Sequence, residues 1–211
     1  MGTNPATGKP ENKAPDRPAR KGERPAERVP VILETADSDG FRLLDSGDGE
    51  KLEQYGPYRI VRPEAQALWP RTLDDGEWSQ ADAVFTGDTD EDGMGRWKFP
   101  GEPLGETWPM RLLDVDFYGR LTAFRHVGVF PEQHAHWLWM RDRIAASDRK
   151  LKVLNLFGYT GSFTVYAAAG QAKTTTTVDV SNTYLAWAQR NLQLNELTGQ
   201  QHSFIKSDAM S

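Results

Sequence analysis

A chain of 211 residues and 23.7 kDa is long enough for one sizeable core, or for one domain and part of a second. A hydrophobic share of 38%, a mean hydropathy of -0.64 and the lack of any apolar run near the roughly 20 residues that cross a bilayer argue against membrane spans, and no apolar stretch follows the basic N-terminus as a secretory leader requires. With no cysteine there is no disulfide framework, no thiolate metal site and no cysteine nucleophile, so a cytoplasmic home is expected, and a net charge of -5 does not by itself announce a nucleic-acid binder.

Residues 1–28 are rich in Pro, Lys, Arg, Glu and Ala, with hardly an aliphatic side chain. Such a segment cannot bury enough apolar area to offset its ordering entropy, and a disordered tail is expected. Its cations (Lys9, Lys13, Arg17, Arg20, Lys21, Arg24 and Arg28) leave open a contribution to holding a phosphate backbone.

Residues 29–130 read as a small, irregular β-rich region. Short runs at 41–44, 58–61 and 112–117 are broken by turn chemistry at Ser46-Gly47-Asp48-Gly49, Gly56-Pro57 and Asp92-Gly93, and 86–95 reads as a loop. Trp69, Trp78, Trp97 and Trp108 are expected to be core residues here, because aromatic area holds a loop-rich domain together.

Residues 132–146 predict a helix, with Trp137, Met140 and Ile144 at three- and four-residue spacing. Beyond it the texture becomes a regular alternation. Residues 151–157 form a near-continuous apolar run, the mark of a buried parallel strand. Residues 162–169 read as a helix ended by Gly170, and 174–180 as a β-branched strand. Ser181 is placed to cap a helix running to about residue 194, with Leu185, Ala188 and Leu192 as its apolar stripe, and 203–207 is a third strand. The order β-α-β-α-β predicts a doubly wound parallel sheet of α/β class.

The informative segment is Val153-Leu-Asn-Leu-Phe-Gly-Tyr-Thr-Gly-Ser-Phe163, a strand running through a turn with glycines at 158 and 161 into a helix. Glycines permit a tight turn and close approach of a ligand to the main chain. The helix start offers free N–H groups and a positive dipole end. Asp179 ends the next strand, where an acid accepts hydrogen bonds from ribose hydroxyls, and Asp208 ends the third strand at the same rim. Each feature alone also fits a packing turn or a polar strand end. Together they point to a nucleoside cofactor. Gly158-x-x-Gly161 is not the G-x-G-x-x-G that cradles a dinucleotide pyrophosphate, and no G-K-[ST] follows, which suits a ligand without phosphates.

The string V-L-N-L-F-G-Y-T-G-S-F resembles the first motif of class I S-adenosylmethionine-dependent methyltransferases, specifically the bacterial large-subunit ribosomal RNA methyltransferases, whose version reads N-x-F-x-Y-T-G-x-F. V-D-V-S-N-T-Y-L-A-W-A-Q-R-N and F-I-K-S-D-A resemble the second and third strands of that branch. The resemblance covers about residues 130–209. It implies a Rossmann-like sheet, of which 131–211 hold the first three strands, and S-adenosylmethionine as cofactor. Phe157, Gly158, Tyr159, Thr160 and Gly161 would lie along its methionine part. Asp179, with Val180 and Ser181 after it, would hold the ribose, and Asp208 with Ala209 would face the adenine. Upstream the family has a D-Q-R-like turn. Here Phe130-Pro131-Glu132-Gln133-His134 keeps Gln133 as an expected cofactor contact but has His134 where arginine is common.

The resemblance further implies methylation of a base in ribosomal RNA, with the acceptor-positioning residues beyond residue 211, so that these residues alone are expected to be inactive. A nucleoside-binding module without catalysis, and a methyltransferase acting on a protein or small molecule, stay open as alternatives. His126, His134, His136 and His202 show no metal spacing and are expected to be structural. No metal is expected.

Overall fold

In a computed structural model the described residues are 30–87, 95–199 and 201–210. A compact unit begins at Leu33 and contains every described strand and helix. The expected N-terminal tail and the Asp92-Gly93 turn lie outside the described residues.

The β-rich region opens with a meander of β1 (Phe41–Gly47), β2 (Glu50–Tyr55) and β3 (Tyr58–Pro63). Both turns follow from their residues. Asp48 and Gly49 stand at φ 51° and 81°, the pair of positive values that a type I′ hairpin needs. Gly56, at φ 58°, occupies the first central position of the two-residue loop between Tyr55 and Tyr58. Helix α1 (Asp75–Ser79), capped by the Asp74 carboxylate, leads to β4 (Ala83–Thr86), which lies parallel to β3 and antiparallel to β5 (Arg96–Lys98).

A separate hairpin joins β6 (Trp108–Leu112) to β7 (Val115–Gly119). Residues 112–117, expected as one run, therefore span the turn of that hairpin: Leu113 sits at φ 57° with no glycine to announce it. Trp78 and Trp108 are buried and Trp97 packs against the core, as expected. Trp69 instead is half exposed, its indole donating to the Ser46 carbonyl at 2.7 Å over the β1–β2 turn.

Helix α2 (His134–Ala145) follows a 3-10 turn at Pro131–Gln133 and buries Trp137 and Ile144. Then come β8 (Lys152–Leu156), α3 (Ser162–Ala169), β9 (Thr174–Asp179), α4 (Asn182–Leu194) and β10 (Gln201–Lys206). The three strands are parallel, in the order β10-β9-β8. Ser181 caps α4 as expected, its hydroxyl accepting from the Tyr184 N–H.

Both crossovers run the same way across the sheet, so α3 and α4 cover one face. On that face Asn155 donates to Thr164 of α3 at 3.0 Å, Thr164 pairs with Thr177 at 2.6 Å, and Phe204 packs into the cluster that holds Leu192 of α4. Leu154, Leu156 and Ile205 point to the other face and are exposed, Leu154 to 62%. Among the described residues helices thus cover one face of these strands, and the two-sided burial expected of the first strand is not seen. Gly170 also differs from expectation. Its φ is -75°, so it supplies no left-handed cap. A Cβ there would stand 2.8 Å from the Arg141 carbonyl oxygen, and Gln171 takes the left-handed position at φ 64°.

One hydrophobic cluster runs across residue 130. Phe117 of β7 meets Trp137 of α2 and Tyr166 of α3, the last two stacked with centroids 5.2 Å apart, and the Tyr166 hydroxyl donates to the Leu112 carbonyl at 2.8 Å. No helix among the described residues is long and apolar enough to cross a membrane.

Candidate cofactor site

The turn between β8 and α3 is held in an uncommon backbone shape. Phe157, Tyr159 and Gly161 have φ values of 55°, 47° and 81°. Two bulky residues in the left-handed region persist only where their surroundings fix them, and such strain concentrates at ligand clamps. The surroundings here are explicit. Gly158 N–H donates to the Val178 carbonyl at 2.9 Å, Gly161 N–H to the Gly158 carbonyl at 2.8 Å, and Tyr159 N–H to the Asp179 carboxylate at 2.9 Å. The two glycines are demanded by neighbouring protein atoms. A Cβ at Gly158 would lie 2.3 Å from Thr177 Cγ2, and one at Gly161 2.6 Å from the Ala188 Cβ.

Asp179 is the hub of the rim. Its second oxygen accepts the Ser181 N–H at 2.8 Å, so each oxygen holds one backbone donor. An ionised carboxylate offers about four acceptor positions, which leaves capacity for a vicinal diol. β10 brings the third strand end alongside, with Lys206 opposite Asp179 and Ser207 N–H on the Asp179 carbonyl at 3.1 Å. Asp208 is exposed there and accepts the Met210 N–H at 2.9 Å, next to Ala209. Phe157, Val180 and Met210, just beyond the three strand ends, are exposed, Phe157 to 67% and Val180 to 63%. Apolar side chains standing in solvent around a carboxylate with spare acceptors fit a nucleoside ligand, with apolar faces for the base and polar groups for the sugar.

Residues 157–161, 179–181 and 208–209 therefore come together as anticipated, although not every side chain faces the rim. The Tyr159 ring is turned into an aromatic cluster with Tyr184, Phe130 and Trp187, at centroid distances of 4.7, 5.2 and 6.3 Å. Burial raises its phenol above the usual range. The Ser181 hydroxyl is occupied by its capping bond. Gln133 ends the 3-10 turn whose N-cap, Phe130, touches the Tyr159 ring, which brings that turn up to the motif. Burial depresses His134, and its two ring nitrogens have no hydrogen-bond partner. His126 is likewise depressed, first by burial and then by the cations Arg62, Arg125 and Lys51. His202 is structural, bridging Thr175 and the Leu197 carbonyl at 2.7 Å each. An open cavity of about 850 Å³ lies between α4 and β7, beside Arg120 and Arg190, and not at the strand ends.

Residues 79–210 match the profile of the S-adenosylmethionine-dependent methyltransferases, which spans the rim and more than half of the chain. The chain belongs to this family. Its cofactor is S-adenosylmethionine. The crystal structure of a methyltransferase of this kind from Agrobacterium tumefaciens is 57% identical, with a TM-score of 0.83 over 91% of this chain and 60% of that one. A methyltransferase from Streptococcus mutans shares the fold at a TM-score of 0.61 and 19% identity, covering 82% of this chain and 47% of its own. Among curated relatives, the ribosomal RNA large subunit methyltransferase K/L of Magnetococcus marinus is 52% identical over 97 residues, 46% of this chain and 13% of the relative. That of Aliivibrio salmonicida is 42% identical over 105 residues, 47% of this chain and 14% of the relative. The chain thus spans a small part of the length of these curated relatives. The expected family, Rossmann-like fold and cofactor hold.

Two further residues bear on the turn, Thr177 and Asn191, to which the sequence reading assigned no role, although Asn191 ends the V-D-V-S-N-T-Y-L-A-W-A-Q-R-N string. Each acts on the turn from another element, 19 residues beyond Gly158 and 31 beyond Thr160, so no local spacing signals them.

Proposed function

We propose that this chain belongs to a ribosomal RNA methyltransferase and holds the methyl donor, S-adenosylmethionine, at the rim of β8, β9 and β10 for transfer to a base. The observation that carries the reading is the Asp179 carboxylate, which organises the turn after β8 and the start of α4 while keeping free acceptor positions among exposed apolar side chains. The backbone of 157–161 would lie along the methionine part, and Asp179 with Val180 and Ser181 would hold the ribose. Asp208 and Ala209 would face the adenine, with Gln133 approaching from the 3-10 turn. The cofactor supplies an electrophilic methyl group on a sulfonium. These residues orient it, which is where rate is gained in a transfer between two bound partners.

The RNA acceptor is supported by the K/L relatives, and a cytoplasmic location fits the same reading. The test is tritiated methyl transfer to ribosomal RNA by the full-length protein, beside transfer to bulk protein and to small-molecule pools. Label in ribosomal RNA, lost with Asp179→Ala, is the expected result. Cofactor binding with no transfer to any acceptor would instead make the chain a nucleoside-binding module.

A further inference from the structure

The outward edge of β7 is not paired with another described strand. Hydrogen-bonding groups that a neighbouring strand would take are met instead by two side chains of α4 and by that of the residue that ends it. Trp187 Nε1 donates to the Tyr118 carbonyl at 3.1 Å, Asn191 Oδ1 accepts the Tyr118 N–H at 3.0 Å, and Asn195 both accepts the Asp116 N–H at 2.8 Å and donates to its carbonyl at 2.7 Å. Trp187, Asn191 and Asn195 are four residues apart in sequence, which puts them in one row on the helix. The row reads alternate residues of β7 as an adjacent strand would.

Asn191 differs from its two neighbours. It is fully buried, and its amide nitrogen reaches the other way to donate to the Thr160 carbonyl in the cofactor turn at 2.9 Å. Thr160, itself buried, returns to the β-rich region through its hydroxyl on the Gly128 carbonyl. A buried amide with both ends engaged fixes the distance between the two groups it joins, because leaving either end unpaired in the interior is costly. We infer that Asn191 is a positioning residue of the cofactor site, setting the Thr160 carbonyl, and with it the backbone from Tyr159 to Gly161, against β7. The inference rests on the reading of that turn as the cofactor site. Asn195 makes comparable bonds to the same strand but none to the turn, and it provides the internal control.

The experiment is calorimetric binding of S-adenosylhomocysteine to the full-length protein and its variants, with denaturation followed in parallel. Asn191→Ala should weaken binding roughly five- to tenfold, the scale of one lost hydrogen bond that orders a ligand-binding turn. Asn195→Ala should lower stability and leave the affinity unchanged. Asn191→Asp gives a second readout. Burial raises a carboxyl, and while protonated it can donate to the Thr160 carbonyl as the amide does. Its affinity should therefore be near that of the parent at low pH and fall behind as pH rises, whereas the parent shows no such divergence. Parental affinity in Asn191→Ala, or an equal loss in Asn195→Ala, overturns the positioning role. Undiminished binding in Asp179→Ala would instead show that the cofactor lies elsewhere, so the two failures are distinguishable.

Discussion

The Asp179 carboxylate, at the end of β9, receives the backbone N–H of Tyr159 at 2.9 Å, twenty residues back in the chain. That bond ties the turn after one strand to the end of the next. It also helps to hold Tyr159 at φ 47°, a conformation that a tyrosine in a free loop would leave. One carboxylate thus builds the rim and keeps acceptor positions that its two backbone donors do not use.

Removing it should act on both levels. Asp179→Ala is expected to weaken S-adenosylhomocysteine binding by about 1–3 kcal/mol, the range for a lost hydrogen bond to a charged group. Asp179→Asn retains one acceptor oxygen and should fall between the two. Isothermal calorimetry on the three proteins checks the order. Equal affinities would show that the cofactor lies elsewhere.

The glycine at 158 makes a sharper case. Its hypothetical Cβ meets Thr177 Cγ2 at 2.3 Å, so Gly158→Ala should cost about 1–3 kcal/mol through overpacking. Thr177→Ser deletes that methyl group and keeps the hydroxyl bonded to Thr164. In the Thr177→Ser background the cost of Gly158→Ala should fall by more than half. Urea denaturation of the double-mutant cycle measures the coupling. A cost unchanged in both backgrounds would show that the glycine answers to something other than Thr177.

Much of the second half of the chain was legible because its elements obey local rules. Ser181 before an apolar stripe marked the start of α4, and the β-branched run 174–180 marked β9, which spans Thr174–Asp179. The spacing from Gly158 to Asp179 then placed both at one rim. What stayed hidden was decided by tertiary contacts. β2 was not among the runs read as β-like, and Glu50, Lys51 and Glu53 crowd it. Yet Glu53 is buried in a bidentate pair with Arg62 of β3, at 2.7 and 2.8 Å. The β6–β7 turn carries Leu113 at positive φ in place of a glycine. The uncovered face of β8 was masked by its composition: an apolar run does not say whether one face or two will be packed.

Asp45 links the β-rich region to pH. Burial acts to raise its carboxyl, and the N–H groups of Leu73, Ser46 and Thr72 with the indole of Trp78 outweigh it, so the group sits below the usual carboxylate range. A depressed folded value contributes stability that is present above the unfolded value of about 3.9 and is lost as pH falls toward the folded one. Asp45→Asn should therefore cost about 1–3 kcal/mol at neutral pH, because three donors converge on one Asp45 oxygen at 2.9–3.0 Å. The difference from the parent should shrink below about pH 4. Urea midpoints across that range test the sign. A gap that stays constant or widens in acid would contradict it.

The exposed face of the parallel sheet sets the last prediction. Leu154 and Leu156 on β8 and Ile205 on β10 lie uncovered among the described residues, and β8 pairs there with β9 alone. An apolar central-type strand with a free edge is a template for pairing with another chain, and the leucines beside it supply a driving force for stacking. Residues 1–211 expressed by themselves should therefore self-associate in a concentration-dependent way. Leu154→Lys together with Leu156→Lys removes the apolar patch without touching the helix-covered face, where Asn155 bonds Thr164. That pair of substitutions should restore a monomer while the far-ultraviolet circular dichroism stays unchanged. Light scattering over a dilution series decides the matter. A monomeric parent would show that this face is covered in solution, and continued association of the lysine variant would place the contact elsewhere on the molecule.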